Sequence, residues 1–181
     1  MRTAIIALTA FTMVSTPIVT PAFAQAPEAP SAFEEIVEQS KSFMMADPSR
    51  AYELANEAEQ SAAGEALEIA TAQWLQAEAL VRMNRIAEAQ PIIDAALEAA
   101  SARAPGSKLV GDLQMTRGMT ARAVSDYVTA LDSYQAAHDV FAGLSDDRNQ
   151  ARALQQVGSI YADAHEYERA LEFNIRAGNA Y

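Results

Sequence analysis

Two histidines, His138 followed by Asp139 and His165 lying between Asp163 and Glu166, are the residues of this 181-residue chain best suited to acid–base or metal chemistry. A zinc centre needs three or four ligands converging in space, and a lone imidazole beside carboxylates on a polar turn does not supply them. Both histidines therefore read as ordinary surface or rim residues. The carboxylate pairs Glu34–Glu35 and Asp146–Asp147 are adjacent in sequence, so their side chains point to different sides of a helix or cap it. The chain has no cysteine, which removes a thiol nucleophile, a disulfide framework and a lipidated cysteine. With no phosphate loop either, the inventory predicts no catalytic residue, no metal and no cofactor. The chemistry left is recognition, and its elements must be found in the pattern of the chain.

The charge narrows the class of partner. Thirteen Lys and Arg stand against 24 Asp and Glu, a net charge of −11, and no basic patch is dense enough to release counterions from a phosphate backbone. Nucleic acid is excluded on that ground. The first 24 residues form a signal peptide in sequence: basic Arg2, an apolar run from Ala4 to Val14, helix-breaking Pro17 and Pro21, and the small-x-small ending Ala22-Phe23-Ala24. Cleavage before Gln25 leaves residues 25–30 as a Pro/Ala linker and 31–181 as a single domain, addressed to the periplasm. The apolar run is shorter than the ~20 residues a helix needs to cross a bilayer, so no membrane span is expected after cleavage.

Half of the residues are hydrophobic, alanine prominent among them, which favours helix. An internal period orders the helices. "VGSIYADAHEYERAL" places Gly158, Tyr161, Tyr167 and Ala170 in one frame, and "RGMTARAVSDYVTAL" repeats it 40 residues earlier with Gly118, Ala121, Tyr127 and Ala130. Ala77, Leu80, Ile86 and Ala89 repeat it 41 residues before that, and Ala51, Ala55 and Ala58 mark a weaker unit. The reading is four antiparallel pairs: 31–46 with 48–62, 65–83 with 86–103, 107–124 with 127–142, and 148–164 with 167–181. Asp47-Pro48 opens a helix, Gly143 is expected as a C-cap, and Ser145 or Asp146 as an N-cap. No segment alternates like a strand.

This small-x-x-large, turn, aromatic-x-x-Ala-Leu frame resembles the tetratricopeptide repeat over roughly residues 31–181. The family period is ~34 residues; six or seven more, shared by two helices, come to nearly one turn of ~3.6 residues on each. The resemblance implies an all-α, right-handed superhelical solenoid, with Ala77, Ala89, Gly118, Ala130, Gly158, Tyr161 and Ala170 at the packing positions. It further implies a concave groove, lined by the first helix of each pair, that holds a peptide or protein partner. The family's groove positions fall on Thr71, Trp74, Glu78 and Arg82, on Asp112, Met115, Met119 and Arg122, and on Arg152, Gln155, Ser159 and Asp163. Arginines there meet carboxylates through forked hydrogen bonds, while Trp74 and the methionines give adaptable apolar contact. A phase shift of one residue would bury Trp74 instead, Met115 and Met119 are also spaced to fill the seam between units, and Glu78, Asp112 and Asp126 offer the arginines local partners. The Lys and Asn arrangement of the family's carboxylate-clamp members is missing.

The last helix carries two apolar stripes. Ala170, Phe173, Ala177 and Tyr181 can pack on the partner helix, whereas Leu171, Ile175 and Gly178 are left for a neighbour. Phe173, Ile175 and Tyr181 are thus expected at a C-terminal interface with a second copy of the chain, another protein or a continuation of the chain. Two functions fit this reading: an exported, non-catalytic interaction module, and the sensor or input segment of a larger envelope signalling protein.

Overall fold

The computed structural model describes residues 30–179; the expected leader, most of the linker and Tyr181 lie outside them. The described chain is all-α, with eight helices and no strand: α1 (Ala32–Phe43), α2 (Pro48–Ser61), α3 (Ala66–Arg82), α4 (Ile86–Arg103), α5 (Lys108–Ala123), α6 (Tyr127–Gly143), α7 (Asp147–Asp163) and α8 (Tyr167–Asn179). Each helix packs on the next, and α3 also touches α1 on one side and α5 on the other.

Local chemistry sets the boundaries. Ser31 and Glu34 form a reciprocal capping box at the start of α1, satisfying two of the amide groups that a helix start leaves without partners. Asp47 caps α2 by accepting from the Arg50 amide, with Pro48 in the first turn where its missing N–H costs nothing. Ser107 caps α5 and Asp146 caps α7. α1 ends three residues short of the expected 46, because the amides of Ala46 and Asp47 fold back onto the Phe43 carbonyl in a turn.

The turn after an odd helix repeats along the chain. After α3, α5 and α7, a residue with positive φ (Asn84 at 59°, Ser125 at 63°, His165 at 62°) is followed by an amide that bonds back to the helix. Arg85 reaches Leu80 O at 2.8 Å, Asp126 reaches Ala121 O at 2.9 Å and Glu166 reaches Tyr161 O at 2.8 Å. These are the bonds of a Schellman C-cap. The same bond runs from Asp146 to Phe141 O at 2.9 Å after α6. There the left-handed residue is Ser145 (φ 55°), and the expected C-cap Gly143 is still helical. Asp126 and Asp146 each close one helix with their amide and open the next with their carboxylate, which keeps these turns short.

Small residues let the helices approach. Ala77, Ala89 and Ala130 are wholly buried, and Ala170 nearly so. A Cβ added to Gly118 would stand 2.5 Å from the fully buried Tyr134 ring, and one added to Gly111 would stand 2.6 Å from Phe141. At Gly158 the nearest atoms are Asn174 Oδ1 at 3.1 Å and the Ala170 carbonyl oxygen at 3.2 Å. Buried polar contacts tie the layers as well. Ser40 donates to Ala51 O at 2.8 Å, and Gln76 donates to Glu59 at 2.6 Å.

Candidate functional site

A cleft of about 280 Å3 opens on the side of the molecule formed by the odd-numbered helices. From α3 it receives Trp74, Glu78 and Arg82, spaced by four residues and so stacked on one face. From α5 it receives Lys108, Asp112, Met115 and Met119, a single stripe at the spacing 4, 3, 4. Lys41 enters from the end of α1, with Met44 and Met45 just beyond it, and Arg152 enters from α7. No residue of an even-numbered helix lines it.

The Trp74 ring is fixed from below. Its Nε1–H donates to Thr116 Oγ1 at 3.2 Å, and that hydroxyl donates onward to the Asp112 carbonyl at 3.0 Å. Thr116 is buried, so the indole keeps one orientation, half in the core and half in the cleft. Met115 is buried in the floor and Met119 half-buried beside it. Trp74, Met115 and Met119 therefore both pack between units and line the cleft.

Charge is distributed unevenly. Arg82 donates to Glu78 at 2.8 Å and Lys108 to Asp112 at 2.7 Å. Burial holds the Asp112 carboxyl above its ordinary pKa, with Lys108 acting in the opposite direction. Arg152 donates to the Asn149 side-chain oxygen at 3.0 Å, and among the described residues no carboxylate lies within 4.0 Å of it. Lys41 is paired outside the cleft, with Glu38 at 2.7 Å. The lining thus holds four cations, Lys41, Arg82, Lys108 and Arg152, and two acids, Glu78 and Asp112, in a chain whose net charge is −11.

Two further clefts adjoin it. One of about 380 Å3 shares Lys41, Trp74, Lys108 and Asp112 and adds Thr71. The other, about 360 Å3, shares Met119 and contains Arg122 and Asp163. There both Nε and Nη2 of Arg122 donate to Asp163 Oδ2, at 3.0 and 2.7 Å, so this arginine links α5 to α7. Gln155 is exposed and Ser159 donates to its carbonyl at 2.9 Å; neither lines any of the three clefts. Lys41, Met44, Met45 and Lys108 join the site without having been singled out in sequence. Lys108 had a signal, since it stands one turn before Asp112 on the same stripe. Lys41 and the two methionines belong to the weakest repeat, where no groove positions were assigned.

The remaining sequence candidates lie elsewhere. His138 Nδ1 is 3.0 Å from Asp139, and His165 Nδ1 is 2.8 Å from the Tyr167 hydroxyl. On α8, Phe173 turns inward and stacks on Tyr161, centroids 5.4 Å apart, with the Arg176 guanidinium 4.9 Å above its ring. Ile175, expected at the same interface, points to solvent together with Leu171 and Tyr167, at 55%, 61% and 61% exposure. None of the described helices is long and apolar enough to cross a membrane. No protein-family model matches the chain, and neither does any curated protein.

Proposed function

We propose that this chain is a tetratricopeptide-like interaction module, exported to the periplasm, that holds a peptide or an extended segment of another protein along its odd-numbered helices. The observation that carries the reading is the convergence of α1, α3, α5 and α7 on one cleft with a fixed indole and a methionine floor. Adaptable thioethers beside a rigid aromatic suit a side chain inserted from a partner. A surface already formed in the free protein loses little entropy on binding. The 40- and 41-residue recurrence of the odd-helix turns supports a right-handed solenoid of repeated pairs. The groove reading requires no catalytic group in the cleft.

The test is capture from periplasmic extract by the wild-type chain and by a Met45→Glu, Met119→Glu variant of matched helicity. Loss of a specific captured protein in the variant is expected. Equal capture would locate binding away from the cleft and refute the reading. Export is tested separately by N-terminal sequencing of periplasmic protein, where Gln25 is the expected first residue; a product retaining Met1 would refute it.

A further inference from the structure

The lining of the cleft specifies more than an apolar guest. Its four cations outnumber its acids by two, against the sign of the whole molecule. Two of them, Arg82 and Lys108, are held by carboxylates inside the cleft. The excess rests on Lys41 and Arg152, which belong to α1 and α7, the outermost of the four helices that form the site. Between them in chain order lie Trp74 on α3 and Met115 and Met119 on α5. Among the described residues, Lys41 has one solvent-exposed partner outside the cleft, Glu38, and Arg152 has only the Asn149 amide oxygen, so a ligand carboxylate at either cation can form a charge-assisted hydrogen bond from the cleft side.

We infer that the cleft takes a peptide segment with acidic side chains on both sides of one large apolar residue, the apolar side chain on Trp74, Met115 and Met119 and the carboxylates at Lys41 and Arg152. The inference rests on the peptide-binding reading above and commits it to a charge. Because the excess cations are divided between two helices, the match is to acidic side chains along a segment and not to a single terminal carboxylate. Salt weakens such binding, since both cations lie at the solvent edge of the site.

A displayed library of random dodecapeptides selected on the immobilised full chain tests this. Enriched peptides are then synthesised as C-terminal amides with a fluorescent label and titrated against wild type, Arg152→Gln, Arg152→Lys, and Met45→Glu, Met119→Glu. Arg152→Gln can keep a hydrogen bond to Asn149, and melting curves of every variant check that it is folded. The expected result is enrichment of acidic peptides containing a large apolar residue. Their affinity should fall about tenfold or more in Arg152→Gln, recover in part in Arg152→Lys, and fall with added salt. Neutral or basic peptides that the methionine variant fails to bind, or peptides that bind only with a free C-terminal carboxylate, would overturn the charge assignment and leave the groove reading standing. Acidic peptides that bind Arg152→Gln as well as wild type would also overturn it. A library yielding nothing that depends on Met45 and Met119 would overturn the groove reading and this inference with it.

Discussion

Replacing Gly118 by alanine probes the glycine at which an added Cβ would stand nearest a neighbour. The added Cβ would stand 2.5, 2.7 and 2.8 Å from three carbons of the Tyr134 ring, whereas carbon atoms in contact settle near ~3.5–4.0 Å. The ring must therefore retreat by about an ångström, in the same sense for all three atoms. Tyr134 is fully buried in a cluster with Met115, Ala121, Phe141, Val157 and Ile160, so the retreat displaces side chains from three helices. Overpacking of this kind costs ~1–3 kcal/mol. Alanine in a helix interior returns ~1 kcal/mol relative to glycine. The displacement is large and the site closed, so the steric cost falls in the upper half of its range, and a net loss of ~1–2 kcal/mol is expected. Gly178 supplies the reference: it lies in α8 with nothing within 4 Å of an added Cβ, so Gly178→Ala receives only the propensity gain, up to ~1 kcal/mol near a helix end. The two variants should thus separate by ~1–3 kcal/mol in urea unfolding followed by circular dichroism, with an unchanged dependence on denaturant. A Gly118→Ala protein as stable as Gly178→Ala would mean that α5 and α6 lie further apart than described, and the packing argument would fail.

Three other outcomes follow from the same contacts. Tyr134 carries a buried hydroxyl with no hydrogen-bond partner among the described residues, and burial pushes its pKa up to about 12; Tyr134→Phe should leave stability unchanged or raise it by up to ~1 kcal/mol, and a loss above that in thermal melts would reveal a partner for the hydroxyl. Asp146 caps α7, and its hydrogen bonds to Asn149 hold its carboxyl below the ordinary aspartate value. The cap therefore stabilises fully above the unfolded-state pKa and fades as pH falls through the lower folded value. Asp146→Ala should cost ~1 kcal/mol at pH 7, with the deficit shrinking below about pH 4; a deficit independent of pH would refute the electrostatic part. Finally, the exposed Tyr167, Leu171 and Ile175 stripe should bind a hydrophobic dye, and Leu171→Glu with Ile175→Glu should remove most of the signal; unchanged fluorescence would place the apolar surface elsewhere.

Helices were more legible in the sequence than their rotation was. The helices expected at 86–103 and 127–142 agree with α4 and α6 to within a residue, because small-residue spacing and caps are local signals. The turns were less so. Asn84, Ser125, Ser145 and His165 adopt the left-handed conformation without being glycine, since packing of the two flanking helices and the amide bond back to the first one impose it. In the site, the positions that the resemblance implied on α3 and α5 include Trp74, Glu78, Arg82, Asp112, Met115 and Met119, which line the central cleft. On α7 the same assignment brought Arg152 into the central cleft but not Gln155 or Ser159. Which side of a helix meets its neighbour depends on how it is turned, and the polar face of α7 carries no marker for that. Likewise, nothing local announces that Arg122 is bound to Asp163, 41 residues further on.

Every extensive contact in the described chain joins helices one or two places apart in order. Folding therefore never has to wait for distant ends to meet, a condition associated with fast formation of helical domains. Order can begin in any pair and spread to its neighbours. The same arrangement leaves α8 supported from one side only among the described helices. Under amide hydrogen exchange its backbone would open first, while α3 to α6 would open last, so that the slowest-exchanging amides lie beneath the Trp74 cleft.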